Sequence, residues 1–331
     1  MAASSPEPQR EAQRPQWTVQ SETGRLRRVI LRHARDAFGG PGRIEEEWRM
    51  LGWTAPPDFD TACRESDALA GLLEALGVEV VWAGEGNEGA PGAPTAASAG
   101  AASVPAPPLT LDSIYVRDPG VLTDRGYIPA HMGKEARRGE AGRIAATLRS
   151  LGFTILPAVA EPGTLEGGDV AWLSPRELAV GRGYRTNDQG IARLRKALPA
   201  AVELPTVPLP HYRGPENVFH LMSFFSPVAD DAAVVFSPLM PVPFREHLVG
   251  RGWKLIEVPE EELDTQGCNV LAVAPGVVIA VEGNPETRRR MEAAGVQVHT
   301  YRGVDISLKG GGGPTCLTRP LEREFGAQCP P

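Results

Sequence analysis

The sequence predicts an α/β fold in which five copies of one small unit, two strands, a helix and a third strand, are arranged around a common axis. The first observation is a period: an apolar β-branched residue of the second strand recurs about every fifty residues, at Ile128, Val180, Val235 and Ile279. The second is that many connections between successive strands are as short as hairpins, whereas parallel pairs need a long crossover. We therefore favour this five-unit fold over a doubly wound sheet.

The units follow one another along the chain. Alternating side chains and β-branched residues indicate the strands, and Pro285 and Gly295 mark the two ends of the last helix. The predicted elements are a strand at 28–31, a helix at 61–76 and a strand at 79–81; strands at 113–116, 120–122 and 127–129, a helix at 138–151 and a strand at 154–156; strands at 170–173 and 178–180, a helix at 188–198 and a strand at 202–204; strands at 222–225 and 233–236, a helix at 242–251 and a strand at 254–258; and strands at 269–273 and 277–280, a helix at 285–294 and a strand at 297–300.

One structured domain is expected over residues 23–326. Residues 1–22 and 327–331 are predicted to be tails, the first of them disordered. Residues 83–108 are rich in Ala, Gly, Pro and Ser and contain almost no large apolar side chain. This composition predicts a flexible insertion between structured elements.

Composition excludes several classes of function. The chain of 331 residues contains 34 Lys and Arg against 41 Asp and Glu, and an acidic chain without a basic run gives no indication of nucleic-acid or anionic membrane partners. The N-terminus is polar, so we do not expect it to act as a secretory signal, and the sequence has no apolar run that approaches the length of a membrane span. Cysteines at 63, 268, 316 and 329 lack C-x-x-C spacing, which argues against a thiolate zinc site or a disulfide framework. We expect a cytoplasmic protein without metal or cofactor, and keep a homodimer open.

Four consecutive glycines at residues 310–313 are the most informative local feature. Such a run costs backbone entropy on folding, so it is typical of a sharp turn or of backbone that approaches a ligand. Cys316 follows three residues later, and a cysteine in a polar, partly exposed position can act as a nucleophile through its thiolate. A flexible loop with an incidental cysteine is the alternative.

Five polar residues occupy one phase of the repeat, beside the first strand of successive units. Asp112 and Asp118 flank that strand in the second unit, Glu166 and His220 precede it in the third and fourth, and Cys316 follows the fifth unit. Units related by rotation place equivalent positions at the same end of the axis. We therefore expect a thiol, an imidazole and at least three carboxylates to converge there.

Carboxylates around one pocket raise each other's pKa unless a cation is present. One well-placed histidine and the absence of a loop with several carboxylates disfavour a zinc or hard-metal site. A planar guanidinium is the other candidate, because it pairs with carboxylates through two hydrogen bonds. The Cys316 thiolate could attack its central carbon, while His220 gives a proton to the departing amine and later activates water.

Each of these residues also has an ordinary structural interpretation. His220 lies between two apolar neighbours, as buried structural histidines do. Asp169, in the sequence EGGD, is typical of a tight turn in which the carboxylate caps a backbone N–H. Arg137 and Arg138 are typical of a solvated helix face. Their shared phase in the repeat is what favours the functional interpretation.

Six ordered motifs resemble the guanidino-group-modifying, or pentein, superfamily over most of the chain, with dimethylarginine dimethylaminohydrolases the most similar members and arginine deiminases next. The motifs are DSIYVRD at 112–118, RRGE at 137–140, EGGD at 166–169, RTN at 185–187, HLMS at 220–223 and GGPTC at 312–316. The resemblance implies the pentein fold, a five-bladed α/β propeller of ββαβ units around a pseudo-fivefold axis. It implies hydrolysis of a free guanidino amino acid, arginine or an N-methylated arginine, to citrulline and ammonia or an amine.

Roles follow from the resemblance for three catalytic residues. Cys316 matches the nucleophile that forms a covalent thiouronium intermediate, and His220 matches the acid and base. Glu166 matches the carboxylate that holds the guanidinium and orients the pair.

Substrate binding is implied for four further residues. Asp118, supported by Asp112, matches the guanidinium anchor, and Arg137 and Arg185 match the pair that binds the substrate's α-carboxylate. Residues 39–60, with Phe38 and Trp53, are the candidate lid loop.

Departures from the family pattern leave alternatives open. Met222 stands where deiminases and amidinotransferases have an aspartate that grips the guanidinium, which favours a dimethylargininase-like substrate with a substituted nitrogen. Arg117, in VRD, and the EGGD motif are closer to deiminases. An amidinotransferase that passes the amidino group to an amine, and a catalytically silent binding protein with this fold, are the other two functions.

Overall fold

Strands and helices alternate along the computed structural model, which describes residues 17–84, 109–217 and 219–324. The strands in these ranges are β1 (Trp17–Thr18), β2 (Leu26–Leu31), β3 (Glu79–Trp82), β4 (Gly120–Thr123), β5 (Gly126–Pro129), β6 (Val170–Ser174), β7 (Glu177–Arg182), β8 (Thr206–Pro208), β9 (Phe225–Ala229), β10 (Ala232–Val235), β11 (Lys254–Glu257), β12 (Leu271–Ala274), β13 (Val277–Val281), β14 (Gln297–Tyr301) and β15 (Arg319–Glu324). The α-helices are α1 (Ala34–Phe38), α2 (Pro41–Leu51), α3 (Phe59–Ala75), α4 (Glu140–Ser150), α5 (Asp188–Ala197), α6 (Val242–Gly250) and α7 (Pro285–Ala293).

The described strands form five separate sheets in which one pairing pattern recurs. In the sheets β6–β8, β9–β11 and β12–β14, an antiparallel hairpin is followed by a helix, and the third strand pairs in parallel with the second. Strands β4 and β5 form the same hairpin in the second unit, which Ile155 extends by one parallel bridge to Tyr127. The described residues therefore contain the predicted repeat and not one doubly wound sheet. Placement of the five sheets around a common axis stays a prediction.

The first sheet is completed by the end of the chain. Strand β2 pairs in parallel with β3 across helix α3, and β15 pairs antiparallel with β2 and carries β1 on its other edge. The predicted disordered tail is therefore wrong for residues 17–22. Strand β1 has a ladder partner, and Glu22 is buried and accepts a hydrogen bond of 2.6 Å from Arg117 Nη2. These partners are distant in sequence, so the polar composition of the segment did not reveal them.

Two predicted first strands are short 3-10 turns instead, at Leu111–Ile114 and Leu221–Ser223. Their backbone N–H groups bond within the turn, as Tyr115 N does to the Asp112 carbonyl, so they need no ladder partner. The predicted third strands at 154–156 and 202–204 are single bridges, and in the third unit β8 follows a few residues later. The polar residues of the motifs therefore lie on turns at the ends of strands.

The candidate lid, residues 39–60, is not a continuous loop, and its function as a lid stays a prediction. Helix α2 occupies half of the segment, with Pro41 in its first turn and Gly52 at its end in a left-handed conformation, φ 85°. Trp53, which follows, is 4% exposed and packs edge-on against Phe38 at a ring distance of 5.5 Å. The segment is thus held to the core by a buried aromatic pair.

Two large apolar clusters connect the sheets. One joins the third, fourth and fifth units through side chains such as Phe224 and Phe244, and the other packs α1 and α3 on the first sheet through side chains such as Phe38 and Leu69. No helix of the described chain is long and apolar enough to cross a membrane. Most of the predicted insertion (85–108), the predicted C-terminal tail and Cys329 lie outside the described residues.

Candidate active site

The seven predicted site residues line one cavity of about 310 Å³. They are Asp112, Asp118, Arg137, Glu166, Arg185, His220 and Cys316. They come from turns beside strands of the second, third and fourth units and from the loop before β15. The structure therefore brings together the five residues that the repeat placed at one end of the units and the two arginines that the family resemblance added, and their chemical roles stay predictions.

The glycine run forms a packed wall of this cavity. A side chain at Gly310 or Gly312 would collide with the Tyr115 ring, and one at Gly313 would lie 2.7 Å from Asn269 Cγ. Gly311 has φ 76°, a left-handed conformation that favours glycine. The alternative of a flexible loop is wrong, because the absence of side chains is what allows this close packing beside Cys316.

Cys316 presents a half-buried thiol whose sulfur has a hydrogen-bond donor. Asn269 Nδ2 donates to Cys316 Sγ at 3.1 Å, and Asn269 Oδ1 accepts from the Thr315 backbone N–H at 3.0 Å. Burial, and then the nearby Asp118 carboxylate, raise the pKa of Cys316 to about 12, against the opposing hydrogen bond from Asn269. The raised pKa favours the neutral thiol at neutral pH.

Asn269 is a site residue that sequence reasoning missed. The sequence pattern predicts only that Asn269 begins the strand at 269–273. It precedes β12, the first strand of the fifth unit, so it has the same phase as His220. That shared phase was the signal that could have identified it.

His220 and Glu166 form a buried pair. His220 Nε2 lies 2.8 Å from Glu166 Oε2, and Glu166 Oε1 accepts from the Lys134 backbone N–H at 3.0 Å. Burial alone would lower the pKa of His220, but the carboxylates of Asp169, Asp118 and Glu166 outweigh it and raise the pKa to about 9. Burial opposes ionisation of Glu166, yet its bond to His220 lowers the Glu166 pKa to about 2. At neutral pH the pair is an imidazolium and a carboxylate.

Asp169 has the capping role that its EGGD motif suggested. Its Oδ1 accepts from the Leu221 backbone N–H at 3.1 Å, and its Oδ2 accepts from the Thr186 hydroxyl at 2.6 Å. It is fully buried, and burial raises its pKa to about 6. Asp169 thereby fixes the turn that carries His220.

Asp118 offers an unpaired acceptor to the cavity. Its Oδ2 accepts from Arg137 Nη1 at 2.6 Å, whereas its Oδ1 is buried and has no hydrogen-bond partner among the described residues. A side chain at Gly168 would lie 2.9 Å from this Oδ1 and 2.6 Å from His220 Nδ1. A buried carboxylate oxygen without a donor, next to the imidazole, is suited to a cationic ligand.

Arg137 is buried rather than on a solvated helix face. Its Nε and Nη2 donate to the two carboxylate oxygens of Glu140 at 2.9 and 2.8 Å, Nη2 also donates to the Tyr115 carbonyl, and Nη1 holds Asp118. Burial raises the pKa of Glu140 to about 7 in spite of this pair. These contacts favour a role in positioning Asp118, and the implied role in binding the substrate's α-carboxylate stays a prediction.

Arg185 is the freer of the two arginines. It is 7% exposed, its Nη1 lies 3.8 Å from Glu166 Oε1, and its Nε is buried without a hydrogen-bond partner among the residues described. A guanidinium with an unpaired N–H can donate hydrogen bonds to a second carboxylate.

Asp112 has both oxygens engaged. Trp53 Nε1 donates to Oδ1 at 2.9 Å, and Lys134 Nζ donates to Oδ2 at 2.6 Å. Lys134, which sequence reasoning also missed, donates in addition to the Leu51 carbonyl at 2.6 Å. Asp112 thus ties the end of helix α2 to the cavity wall, and its implied contact with a guanidinium stays a prediction.

Two apolar groups complete the inner wall. Met222 is buried and lines the cavity two residues after His220. Cys268 is also buried, and its S–H faces the Val234 carbonyl at 3.6 Å. Burial raises the pKa of Cys268 far above its usual range, which leaves it an inert thiol. No cluster of three or more His, Cys, Asp or Glu in the described ranges is placed to hold a metal ion.

Comparisons with known proteins agree with this geometry. A family model described as arginine deiminase matches residues 96–249 and 240–323. An uncharacterized protein of Aeropyrum pernix is 32% identical over 216 residues, which cover 63% of this chain and 73% of that one. Arginine deiminase of Mycobacterium marinum is 31% identical over 193 residues, 48% of this chain and 47% of the deiminase. The chain thus matches about half the length of that deiminase.

Two solved structures have the same fold. DDAH from Pseudomonas aeruginosa, complexed with citrulline, superposes with a TM-score of 0.64 and 21% identity, covering 90% of this chain and all of that one (100%). The N-terminal domain of ArgZ, an arginine dihydrolase from cyanobacteria bound to its product, has a TM-score of 0.70 and 18% identity, covering 89% of this chain and 97% of that one.

Proposed function

Because the chain belongs to the arginine deiminase family and has a fold of the pentein superfamily, we propose that it is a cysteine-dependent hydrolase of a free guanidino amino acid. The products are a ureido amino acid, citrulline in the case of arginine, and ammonia or an amine. The observation that carries the proposal is one cavity lined by a thiol, an imidazolium and an unpaired buried carboxylate oxygen.

Recognition of the substrate uses charge at both ends. The guanidinium donates to Asp118 Oδ1, the acceptor without a partner in the described chain. The α-carboxylate of the amino acid binds Arg185, whose Nε is unpaired and buried. A compound that has the guanidinium but no carboxylate, such as agmatine, loses the second interaction.

The bound cation prepares the nucleophile. Its positive charge beside Cys316 offsets the burial that keeps the thiol neutral, so the thiol releases its proton to solvent as substrate binds and takes one up again after product leaves. The thiolate then attacks the guanidinium carbon and a C–S bond forms. His220 is already protonated and gives its proton to the departing nitrogen as the C–N bond breaks.

The second half of the reaction reverses the proton transfer. The covalent thiouronium on Cys316 is attacked by a water whose proton passes to His220, now a neutral base. The C–S bond breaks, the thiolate leaves, and the ureido product is released. Glu166 holds the ring through its 2.8 Å hydrogen bond in both steps.

Met222 indicates which guanidines fit. Its apolar side chain lines the cavity where another carboxylate could have bound a guanidinium N–H. A nitrogen that carries methyl groups has fewer N–H groups to satisfy and gains apolar contact there. We propose N-methylated arginine and arginine as the substrates, with the methylated nitrogen facing Met222.

A panel of guanidino compounds tests this function: arginine, its mono- and dimethyl forms, agmatine and hydroxyarginine, assayed for ureido product in ¹⁸O-labelled water. We expect ¹⁸O in the ureido group of an amino-acid product and little turnover of agmatine. The Cys316→Ser variant is the control, because its hydroxyl is far less ionised than a thiol.

Two outcomes would overturn the proposal. Product that forms only when an amine acceptor is added would make the protein an amidinotransferase. A folded protein that turns over none of the panel, and whose Cys316 is not labelled by a haloacetamidine, would be a binding protein.

The fold and location extend the proposal. We infer that the five sheets form a closed ring of blades with the cavity at one end of its axis, which the recurrent pairing pattern supports. We also infer a cytoplasmic location, which the spacing of the cysteines supports.

A further inference from the structure

A second, smaller cavity adjoins a cluster of buried arginines. Arg117 lines both the active-site cavity and this second cavity, which has a volume of about 20 Å³ and is also lined by Glu22 and Arg319. Arg323, on strand β15, belongs to the same cluster, because the charges of Glu22 and Arg117 affect its pKa. The three arginines are 4%, 4% and 0% exposed, and Glu22 is 6% exposed.

Only one of the three guanidinium groups has a carboxylate partner within the cluster. Arg117 Nη2 donates to Glu22 Oε1 at 2.6 Å. Arg319 Nη2 donates to the Gly120 carbonyl, and Arg323 Nη1 donates to the Gly24 and Ala272 carbonyls. Carbonyl oxygens are neutral, so three positive charges are balanced by one negative charge.

Several donors of the cluster have no acceptor in the described part of the chain. They are Nε of Arg117, Nε of Arg319, and Nε and Nη2 of Arg323. The Asp118 carboxylate also raises the pKa of Arg319, but its Oδ2 already accepts a hydrogen bond from Arg137. Of these donors, Nε of Arg117 and Nε of Arg319 belong to residues that line the second cavity, and they are the N–H groups that a ligand there could satisfy.

An arginine cannot remove this excess positive charge by losing its proton. Burial, together with Arg117, lowers the pKa of Arg319 to about 10, and burial likewise lowers that of Arg323 to about 10, yet both remain charged at neutral pH. Buried charges need a counter-charge or hydrogen-bond partners to be tolerated. A mobile anion can provide both.

We propose that the second cavity binds a small inorganic anion of the size of chloride or bromide, between Arg117 and Arg319. Both volumes count the space open to the centre of a water-sized sphere, and a cavity needs roughly 10–15 Å³ of it to hold one water. The second cavity, with about 20 Å³, therefore accommodates a monoatomic anion and excludes sulfate or phosphate. Ser21 lines the same cavity, and its oxygen accepts from the Gly24 N–H at 2.9 Å, which leaves its own O–H to donate to the anion. The proposal does not depend on the proposed reaction, although Arg117 also lines the active-site cavity.

Diffraction from crystals grown in sodium bromide tests the site directly. We expect an anomalous peak inside the second cavity, within hydrogen-bond distance of Arg117 and Arg319. Density that refines as water alone, with no anomalous signal there, would overturn the proposal.

Thermal unfolding tests it in solution. At equal ionic strength, replacing sodium gluconate with sodium chloride should raise the Tm until the site is saturated, because chloride binds only the folded state and gluconate is too bulky to enter. Arg319→Gln should abolish the chloride-specific rise, and Arg176→Gln, at an exposed arginine, should retain it.

Glu22→Gln keeps the test decisive if Arg319→Gln does not fold. Removal of the one carboxylate should make the Tm more strongly dependent on chloride than in the wild type. Equal Tm values in chloride and gluconate for the wild type, or an unchanged chloride dependence in Glu22→Gln, would overturn the proposal.

Discussion

Asn269 lowers the pKa of the Cys316 thiol through a hydrogen bond and takes no part in the proposed reaction itself. Its Nδ2 donates to Sγ at 3.1 Å and stabilises the thiolate over the thiol. In Asn269→Ala this donor is lost, so we expect a higher thiol pKa and at least about tenfold slower alkylation of Cys316 at pH 8. The measurement is the pH dependence of inactivation by a haloacetamidine.

Cys268→Ala is the matched control for that experiment. Cys268 adjoins Asn269, but it is buried and its thiol faces the Val234 carbonyl. We expect Cys268→Ala to be alkylated at the wild-type rate. An Asn269→Ala protein with an unchanged pH profile would show that the amide does not act on the sulfur.

The absence of a side chain at Gly168 allows His220 and Asp118 to pack closely against its backbone. A methyl group at Gly168 would lie 2.6 Å from His220 Nδ1 and 2.9 Å from Asp118 Oδ1, distances that real side chains do not tolerate. We expect Gly168→Ala to lower kcat at least about a hundredfold, since misplacement by about 1 Å can have an effect of that size. Steady-state kinetics measures this kcat, after circular dichroism has shown that the variant keeps the wild-type fold.

Gly71→Ala provides the comparison. Gly71 lies within helix α3 and is exposed, and a methyl group there would meet nothing within 4 Å. We expect unchanged kcat and a stability higher by about 0.5–1 kcal/mol. Equal activity losses in the two variants would contradict the specific role of Gly168.

The ion pair of His220 and Glu166 gives stability a defined pH dependence. The pKa of His220 is raised from 6.5 to about 9, so its contribution is full below about pH 6.5 and is lost as the pH rises through 9. The pKa of Glu166 is lowered from 4.5 to about 2, so its contribution is present above about pH 4.5 and is lost as the pH falls through 2.

Urea unfolding of the wild type and of His220→Gln checks the alkaline limb. We expect the stability difference between them to shrink by on the order of 1–3 kcal/mol between about pH 6.5 and 9.5. Parallel profiles would mean that the imidazole titrates in the folded protein as it does in the unfolded chain.

At the scale of elements, helix α3 determines where the glycine run begins. The Glu65 carboxylate accepts from the backbone N–H groups of Val304, Asp305 and Ile306 at 3.0, 2.7 and 3.2 Å, in a π-helical turn that leads into Lys309 and the glycines. The turn is held further by Lys309 Nζ, which donates to Asp305 Oδ1 at 2.6 Å. Glu65 therefore positions the loop that carries Cys316.

Glu65→Gln should loosen this loop. An amide has one acceptor oxygen and two N–H groups that would face other donors, so we expect a loss of about 1–3 kcal/mol in unfolding free energy together with lower kcat. Glu46→Gln, at an exposed position of helix α2, is the control and should change neither. Chemical denaturation and steady-state kinetics check both variants, and full stability of Glu65→Gln would contradict this role.

Sequence reasoning predicted the elements that depend on local pattern. Helices α5, α6 and α7 begin and end within two residues of the predicted bounds, because terminal residues such as Asn187 before α5 and Pro285 at the start of α7 are local signals. Helix α2 was missed although Pro41 and Gly52 mark its ends. Strands β1 and β15 were missed because they exist through partners about 300 residues away, which no local pattern encodes.

At the scale of the whole molecule, repetition made the site predictable. Residues of equal phase, from Asp112 to Cys316, line one cavity although two hundred residues separate them. The repeat could not predict how the groups are paired: Arg137 is committed to Asp118 and Glu140, and Asp112 to Trp53 and Lys134. Those pairs depend on side-chain packing between units, which is a property of the assembled fold.

The central claim is that the Cys316 sulfur forms a covalent bond to the guanidinium carbon during turnover. The most direct measurement is the intact mass, followed by peptide mapping, of enzyme quenched in acid during turnover of an N-methylated arginine. We expect a species heavier than the free enzyme by the mass of the substrate minus the departing amine, located on Cys316 and absent from Cys316→Ser. Turnover by the wild type with no adduct, or an adduct on Cys268, would contradict the account.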